Sequence, residues 1–497
     1  MAVKVGSFAK KADGTGTQAI TSVGFQGEVL LLWTAAVTSA DSFAADAILS
    51  FGMATGASNS ASVGIASEDN TNEANSATSV AAVALTIVDP DQAVLAQAAL
   101  VSFDADGFTL NWTTNDANAD IIHYAVLGGV TLTNAKIVAW SAPLLTGDQA
   151  VGGVGFVPDC VLHLWSGLAA AGQGAPAQLG IGAMTTSAQW YYYHRDRDGY
   201  MTGYGLQFVD DVTCIYSATD AGSNNSLAVY KSMDADGFTV TWNDAPAAAY
   251  LIYSLCLKGG SYKVGTFQAA NTGSAPLDQG VTAPNFQPEG ILAFGVPDDT
   301  VNGILGNSCS VTIGATDGTA EQVAGIRSNP ADPTDTSRIA MTDKWLLITS
   351  TNADTITHEA DIKSLDLTGW THTFTTFDDC DSQGTDMIWP YLALIGGTAR
   401  VDATVTVPDA MTVTAAAVAA SGITGGAGVT LPGAMTATGA MPVPAGSGGA
   451  LVTVPGAMAA SAAMGAIGAG GVSGTQRRMI ILGDPQQILY THTEFAL

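Results

Sequence analysis

Two acidic stretches of this sequence come closest to a metal-binding pattern. Residues 104–107 and 234–237 both read Asp-Ala-Asp-Gly, so each places two carboxylates two residues apart before a glycine, as at the start of a calcium-binding loop. Such a loop also needs later oxygen ligands, including a bidentate carboxylate, whereas here a strand-like pattern follows at once. A third, related stretch keeps Asp366 but has Thr368 in place of the second acid. We therefore interpret these stretches as turns, with calcium binding as the alternative, and predict that they bind no metal.

The aromatic and charged segment 190–200 is a candidate for ligand recognition. It combines five aromatic residues with Arg, Asp and His and occurs only once in the chain. Exposed aromatic rings beside Arg and Asp suit stacking against a sugar or contact with a protein partner. The alternative is a loop that packs on its own domain. Seven residues form this candidate exposed recognition loop: Trp190, Tyr191, Tyr192, Tyr193, His194, Arg195 and Arg197.

The remaining residues do not predict an enzyme. The six histidines are scattered, without the grouping that a metal site of the His-Glu-x-x-His kind requires. The sequence also lacks a Gly-x-Ser-x-Gly nucleophile elbow and a P-loop. We expect no enzymatic activity and no cofactor. The alternative of this class is a glycan hydrolase, which needs two carboxylates about 5–9 Å apart across a cleft.

The charge balance argues against one class of partner. The chain has 497 residues, with 16 Lys and Arg against 44 Asp and Glu, which gives a formal net charge of -28. Contacts to phosphates need clustered Lys and Arg side chains, so we expect no nucleic-acid binding. Apolar residues make up 47% of the chain, which is enough to form cores in several domains.

The cysteines and the N-terminus favour assembly in a reducing cytoplasm. The five cysteines lie far apart with no Cys-x-x-Cys pair, which predicts neither a zinc ribbon nor a dense disulfide framework. The first residues show no apolar stretch followed by a cleavage site of small residues. The nearest candidate for a membrane span, residues 451–472, is mostly Ala and Gly with Pro455 inside, so we expect no stable span.

Three landmarks recur in the same order along the first 397 residues. The first landmark is an apolar run led by an aromatic residue, at Phe25, Phe156 and Phe286. The second is an alternating stretch that ends in an aromatic residue, at Trp112, Trp242 and Phe374. The third is an apolar run that ends in Gly-Gly. Because the spacing is about 130 residues throughout, we predict three tandem copies of one domain, called here the first (1–131), second (132–261) and third (262–397) segments.

The local pattern within each segment is typical of β-strands. Residues 107–112, Gly-Phe-Thr-Leu-Asn-Trp, alternate large apolar with small or polar residues at period two, as a half-buried strand requires. No stretch shows a sustained apolar period of 3.6. We predict an all-β chain in which each segment is an antiparallel, jelly-roll-like β-sandwich. The landmark aromatics should be buried at equivalent positions, whereas residues 58–76 and 190–204, which differ between copies, should form exposed loops.

The composition changes beyond residue 397. Residues 410–476 contain no charged residue, and a short Val-Thr-x-Pro motif recurs with its prolines at 408, 432 and 455. Small residues with regular turns bury little surface in one chain, but they let backbones of neighbouring chains approach closely. We predict an Ala/Gly/Pro-rich stalk at 398–476 that holds a homo-oligomer together; the alternative is a flexible linker. Residues 477–497 regain apolar alternation and are predicted to be a C-terminal docking segment.

The landmarks resemble a known family. Residues 23–33, 102–112 and 123–129 are similar to a β-sandwich module of tailed-bacteriophage virion proteins. The Val-Pro-Gly-Ala-Met repeats are similar to the tails of minor tail proteins in phages of actinobacterial hosts. The resemblance covers residues 1–397 by module and 405–464 by repeat style, and it implies a structural protein without catalytic residues. It also implies a trimer, the form that tail fibres of this family commonly take.

These observations together predict a function. We expect a structural component of the virion, a minor tail, tail-tip or tail-fibre protein that is assembled in the host cytoplasm. Its expected partners are copies of itself, other tail proteins and host-surface glycans. The alternatives are a capsid decoration or head-fibre protein and, in another class, a virion-associated glycan hydrolase.

Overall fold

The computed structural model describes residues 1–201, 205–268, 275–295, 304–307, 309–329, 331, 333–350, 353–377, 388–395, 405–406, 428–430, 451–453, 477–481 and 488–492. Every regular element in these ranges is a β-strand, which confirms the all-β prediction. Most of the strands pair in antiparallel sheets. The same ranges contain no helix with the length and apolar character that a membrane span needs.

The strands are numbered along the chain. The first segment contains β1 (Ala2–Ala9), β2 (Gly16–Thr21), β3 (Gly27–Thr34), β4 (Ala44–Ala45), β5 (Ala47–Gly56), β6 (Asn59–Ser67), β7 (Ser76–Ala81), β8 (Leu85–Val88), β9 (Val94–Asp104), β10 (Gly107–Thr114) and β11 (Ile121–Gly128). The second contains β12 (Asn134–Ser141), β13 (Gly147–Val151), β14 (Cys160–Trp165), β15 (Gly172–Gly174), β16 (Ala177–Met184), β17 (Gln189–Asp196), β18 (Gly205–Asp210), β19 (Ile215–Ala218), β20 (Asn224–Asp234), β21 (Gly237–Asp244) and β22 (Leu251–Lys258). The third contains β23 (Ser261–Gln268), β24 (Leu277–Val281), β25 (Gly290–Gly295), β26 (Ile304–Asn307), β27 (Cys309–Thr316), β28 (Glu321–Asn329), β29 (Asp335–Met341), β30 (Leu346–Thr349), β31 (Ile356–Asp366), β32 (Gly369–Phe377) and β33 (Ile388–Ile395). After them come β34 (Val405–Thr406), β35 (Gly428–Thr430), β36 (Leu451–Thr453), β37 (Arg477–Ile481) and β38 (Ile488–His492).

Two kinds of antiparallel sheet account for the strands of the three segments. The large sheets have seven strands, in the orders β1-β11-β3-β5-β6-β7-β15, β12-β22-β14-β16-β17-β18-β26 and β23-β33-β25-β27-β28-β29-β4. The small sheets have four strands, in the orders β2-β10-β9-β8, β13-β21-β20-β19 and β24-β32-β31-β30. Each small sheet packs on the large sheet of its own segment and encloses an apolar core, as in a β-sandwich.

The strands of the large sheets are buried on both faces. In β3, Leu30 and Leu32 point into the sandwich core of the first segment. Val29, Leu31 and Trp33 point the other way and pack into a second core, which side chains from all three segments form together. A strand that is covered on both faces reads as a continuous apolar run, which explains the sequence Val-Leu-Leu-Leu-Trp. We call this shared cluster the central core.

Aromatic rings join the segments within the central core. The ring of Phe51 in β5 meets that of Phe294 in β25 edge to face, with centroids 6.2 Å apart. Trp190 in β17 lies 5.2 Å from the same Phe294 ring, and its indole Nε1 donates a hydrogen bond of 2.9 Å to the carbonyl oxygen of Tyr391. Residues of the first, second and third segments therefore meet around one ring.

Short strands are exchanged between the segments in a cycle. Strand β15 of the second segment pairs with β7 of the first, β26 of the third pairs with β18 of the second, and β4 of the first pairs with β29 of the third. Each short strand follows the second large-sheet strand of its own segment along the chain, and it covers the outer edge of a neighbouring large sheet. An uncovered edge would present free backbone donors and acceptors. The cycle closes these edges and ties each segment to both others.

The acidic stretches of the small sheets are tight turns between paired strands. Gly107 begins β10 with φ at +147°, and a Cβ there would lie 1.9 Å from the carbonyl oxygen of Ile20. Gly237 is similar, with φ at +140° and a Cβ position 2.0 Å from the carbonyl oxygen of Val151. A side chain would clash with the neighbouring strand at both sites, so only glycine fits.

The sandwich cores hold the landmark aromatics to different degrees. Trp112, Trp242 and Phe374 are almost fully buried between the sheets, with 0%, 1% and 0% of their surface exposed. The residues Phe25, Phe156 and Phe286 are only partly buried, each against the core of its own segment. They lie in the connections before β3, β14 and β25, because the apolar strand starts a few residues later.

The prediction of exposed loops at 58–76 is wrong for its first half, since β6 is buried over most of its length in the central and sandwich cores.

The chain divides into two compact units, Met1–Gly397 and Thr398–Leu497. In the second unit, β34, β35 and β36 pair in parallel, with Val405 beside Val429 and Val429 beside Val452. The recurring Val-Thr units thus stack within one chain, which differs from the predicted pairing with neighbouring chains. Strands β37 and β38 form an antiparallel pair in the predicted docking segment. The three prolines of the motif lie outside the described residues.

Candidate functional site

The predicted recognition loop is a buried strand. Residues 190–196 belong to β17, in the interior of the second large sheet. Trp190, Tyr192 and Tyr193 are 0% exposed and Tyr191 is 4% exposed. Successive side chains alternate between the central core and the sandwich core of the second segment, so both faces of the strand are covered. The prediction of an exposed loop at Trp190 to His194 is therefore wrong, because two cores rather than one flank this strand.

The two arginines of the segment are engaged by one acidic residue. The Nε atom of Arg195 donates a hydrogen bond of 3.0 Å to Oδ1 of Asp220. The Nε atom of Arg197 donates one of 2.7 Å to the backbone carbonyl oxygen of Asp220. Both guanidinium groups thus hold the turn that contains Asp220, which is a structural role, and neither is the freely exposed group that the sequence analysis expected.

The exposed part of the segment lies after the strand. Tyr200 and Met201 are 43% and 67% exposed, and the guanidinium carbon of Arg197 lies 5.0 Å from the centre of the Tyr200 ring. The turn is fixed to the first segment, since Gly199 and Tyr200 exchange backbone hydrogen bonds of 2.7 Å with Ala74. A ring and a cation on a fixed turn suit contact with a sugar or a protein. Residues 197–201, rather than 190–194, are therefore the candidate recognition surface of this segment.

A polar cluster lies at one end of the central core. His194, Asp196 and Cys309 are buried and present one ligand atom each, all within 4.8 Å of one another. Nε2 of His194 lies 3.5 Å from Oδ2 of Asp196. The hydroxyl of Ser67, from the first segment, donates a hydrogen bond of 2.6 Å to the same Oδ2 atom. This cluster is not evident from the sequence, because Cys309 is 113 residues from Asp196. Its only signal is that the polar His194 and Asp196 follow the apolar Trp190 and Tyr192 at alternate positions of β17.

The electrostatics of the cluster do not favour a nucleophilic cysteine. Burial and the neighbouring Asp196 raise the pKa of the Cys309 thiol well above its ordinary value, whereas a reactive cysteine needs a lowered pKa. Burial alone would also raise the pKa of Asp196, but His194 and hydroxyl donors, including Ser67, outweigh it, so that the pKa lies below its ordinary value. The cluster can therefore hold a carboxylate charge and a proton-bearing thiol side by side.

The acidic turns are stabilised by hydrogen bonds from the protein. In the first segment, Asp104 accepts hydrogen bonds of 2.7 Å from the hydroxyls of Ser102 and Thr109, which lower the pKa of its carboxyl. Asp106 accepts hydrogen bonds from the backbone amides of Ser22 and Gly24, at 3.2 and 2.6 Å. These donors take the oxygens that a calcium ion would need, which supports the turn interpretation.

The corresponding carboxylates of the other segments are similarly occupied. Asp234 accepts from Ser232 and Thr239, at 2.8 and 2.6 Å, and Asp366 accepts from Ser364 and Thr371, at 2.8 and 2.7 Å. Amide donors in the chain before β14 hold the pKa of Asp236 below its ordinary value. In the first and second segments the turns thus fasten the chain before β3 and before β14 to the adjacent small sheet.

Comparison with known proteins adds no family. No protein-family model matches this chain, and no curated protein matches it in sequence.

Proposed function

We propose that this chain is a structural component of a tailed-phage virion, a minor tail, tail-tip or tail-fibre protein. The resemblance of its landmarks to phage β-sandwich modules motivates the proposal. The observation that supports it best is the cyclic exchange of β4, β15 and β26 around the central core. Three sandwiches joined in this way make one block in which β7, β18 and β29 are each paired with a strand of another segment, which suits a building unit of a particle.

The three segments are, in this proposal, tandem copies of one module. The support is the recurring strand order of the large and small sheets together with the recurring acidic turns, whose Asp104, Asp234 and Asp366 have matching hydroxyl donors. The short parallel stack of β34, β35 and β36 is then the beginning of a stalk. Three modules around one core give a single chain the geometry that a closed trimer of one-module chains would have.

The role proposed for the block is contact with other tail proteins, with residues 197–201 as its candidate recognition surface. The exposed ring of Tyr200 under the Arg197 guanidinium supports a glycan or protein contact there. No enzymatic step is part of the proposal.

Immunogold labelling of purified virions tests the proposal. Antibodies raised against residues 1–397 should label one end of the tail. Label on the capsid surface would instead support the decoration or head-fibre alternative. Absence of the chain from purified particles, measured by mass spectrometry, would overturn the virion assignment altogether.

A further inference from the structure

Two of the three ligand atoms in the polar cluster are spaced as metal ligands are. Nitrogen, oxygen and sulfur ligands around a tetrahedral zinc ion have bonds of about 2.0–2.3 Å and so lie about 3.3–3.7 Å from one another. The separation of 3.5 Å between Nε2 of His194 and Oδ2 of Asp196 falls in this range, while it is long for a hydrogen bond. With the sulfur of Cys309, all three ligand atoms lie within 4.8 Å. Small movements would bring them around one ion.

The cluster holds polar atoms that the protein leaves unpaired. Among the described residues, neither ring nitrogen of His194 has a hydrogen-bond partner, nor does Oδ1 of Asp196. His194 is 0% exposed and Asp196 is 3% exposed. A buried polar atom without a partner costs about 1–3 kcal/mol, and more when it is charged. A metal ion takes one ring nitrogen of an imidazole, so an ion bound here would satisfy that nitrogen of His194 and the carboxylate of Asp196.

The three candidate ligands are departures from the pattern of the other segments. The register of the large sheets aligns β6, β17 and β28, and it aligns β5, β16 and β27. At the aligned positions the other segments have Ile, Ser or Ala, which bind metal ions weakly or not at all. His194 stands where Ile65 and Ile326 do, Asp196 where Ser67 and Ser328 do, and Cys309 where Ala47 and Ala177 do. These three substituted positions lie close together only because the cyclic arrangement of the segments places β17 next to β27.

One of the three candidate ligands borders a pocket. A small pocket that opens to the surface is lined by Ser67, Asp196, Arg197 and Ser328, among other residues. The pocket touches the cluster at Asp196, whereas His194 and Cys309 do not line it. Its lining includes residues of all three segments.

We propose that His194, Asp196 and Cys309 bind one divalent transition-metal ion of the zinc class. Imidazole nitrogen, carboxylate oxygen and thiolate sulfur are the three ligand types that zinc takes in proteins. Binding converts the Cys309 thiol to a thiolate and releases its proton to solvent. The ion joins the second segment to the third, while Ser67 connects the first segment through its hydrogen bond to Asp196. The site is independent of the virion assignment.

Cobalt substitution of the untagged full-length chain tests the site. Metal-free protein titrated with Co²⁺ should bind one equivalent and show both the visible bands of tetrahedral cobalt and a near-ultraviolet sulfur-to-cobalt charge-transfer band. Zn²⁺ should displace the cobalt, and it should raise the melting temperature, since a ligand that binds only the folded state stabilises it. Absence of a charge-transfer band in folded protein at a several-fold excess of Co²⁺ would overturn the proposal.

The chain itself supplies the matched variants. Cys309→Ala, His194→Ile and Asp196→Ser introduce the residues of the aligned positions, and each should weaken Co²⁺ binding by at least about 10-fold to 100-fold, the loss that even outer-shell changes cause. Cys214→Ala is the control, because this thiol is also fully buried but lies in the sandwich core of the second segment. Circular dichroism of the metal-free variants shows whether each one folds. If one ligand variant does not fold, the test rests on the other two. Affinity unchanged in the folded ligand variants, or lost equally in Cys214→Ala, would contradict the site.

Discussion

The tryptophans of the small sheets contribute to each sandwich through packing and through one polar contact. The indole Nε1 atoms of Trp112 and Trp242 donate hydrogen bonds of 2.8 Å to the side-chain oxygens of Gln18 and Gln149. The partner glutamines lie on the adjacent strands β2 and β13. Each ring thus fills the core while its polar atom remains paired, as buried indoles require.

We expect Trp242→Ala to lower the free energy of unfolding by about 3–5 kcal/mol, because it leaves a large cavity. Trp242→Phe keeps most of the volume and removes the hydrogen bond, so it should cost clearly less. Chemical denaturation of both variants measures the difference. Equal losses in the two would show that the hydrogen bond to Gln149, rather than the packing, dominates.

The acidic turns should not respond to calcium. The oxygens of Asp104, Asp106 and Asp236 already accept hydrogen bonds from hydroxyls or backbone amides. We expect millimolar CaCl₂ to leave the melting temperature unchanged beyond the shift that NaCl of equal ionic strength gives. A larger rise with calcium, abolished in Asp106→Asn, would identify a calcium site.

Buried histidines make the stability dependent on pH. Burial lowers the pKa of His123 to about 4 and the pKa values of His163 and His372 to about 3, from an ordinary value of 6.5. Between pH 6.5 and 4 the unfolded chain binds these protons and the folded chain does not, so this contribution to stability falls as the pH falls. Each histidine contributes a slope of about 1.4 kcal/mol per pH unit.

We therefore expect the stability of His163→Phe to fall less steeply than that of the wild type between pH 6.5 and 4, by about 1.4 kcal/mol per pH unit.

Glu321 acts in the opposite sense, since burial raises its pKa from 4.5 to about 7. Between these pH values the folded chain keeps a proton that the unfolded chain has lost. Glu321→Gln should then steepen the loss between pH 7 and 4.5. Denaturant unfolding over this pH range checks both slopes, and parallel curves for the wild type and His163→Phe would contradict the burial of a neutral histidine.

At the scale of elements, the position of β17 between two cores decides which of its residues can act. Tyr191 and Tyr193 pack with Tyr216 in the sandwich core, with ring centroids 4.7 and 5.8 Å from it. Tyr192 and Trp190 lie in the central core. A strand in this position holds segments together through its buried side chains. Only the turn after it, residues 197–201, is available for surface contacts.

Tyrosine nitration distinguishes the strand from an exposed loop. In the native protein we expect modification of Tyr200, which is 43% exposed, and none of Tyr191, Tyr192 or Tyr193. Peptide mapping by mass spectrometry locates the nitrated residues, and denatured protein gives the control in which all four react. Rapid nitration at 191–193 under native conditions would restore the loop interpretation.

At the scale of the whole molecule, the central core makes the three segments interdependent. Each large sheet buries one face against the other segments and has its outer edge covered by a borrowed strand. A segment on its own would expose an apolar face and an open sheet edge, both of which promote association.

We expect residues 1–397 to be folded, soluble and monomeric, with one cooperative unfolding transition, while residues 132–261 alone aggregate or unfold. Light scattering and calorimetry measure both. A monomeric, folded 132–261 would show that the central core is dispensable. A trimeric 1–397 would contradict the prediction that residues beyond 397 hold the oligomer together.

The sequence by itself determined the features that depend on neighbouring residues. The alternation at 107–112 specifies a strand with one face in a core, and the glycine that begins it specifies a tight turn, because both follow from backbone geometry. The all-β character is a sum of such local patterns. The acidic turns could likewise be interpreted as turns, since Asp104 finds its hydroxyl donors within five residues.

Only the tertiary structure decided which surfaces the strands face. The aromatic run at 190–194 fits an exposed loop and a strand between two cores equally well, because apolar burial depends on what packs against the chain and not on the chain's own pattern. The exchange of short strands and the meeting of His194, Asp196 and Cys309 have the same origin. Residues 113 positions apart come together only when a closed ring of segments sets one sheet against the next.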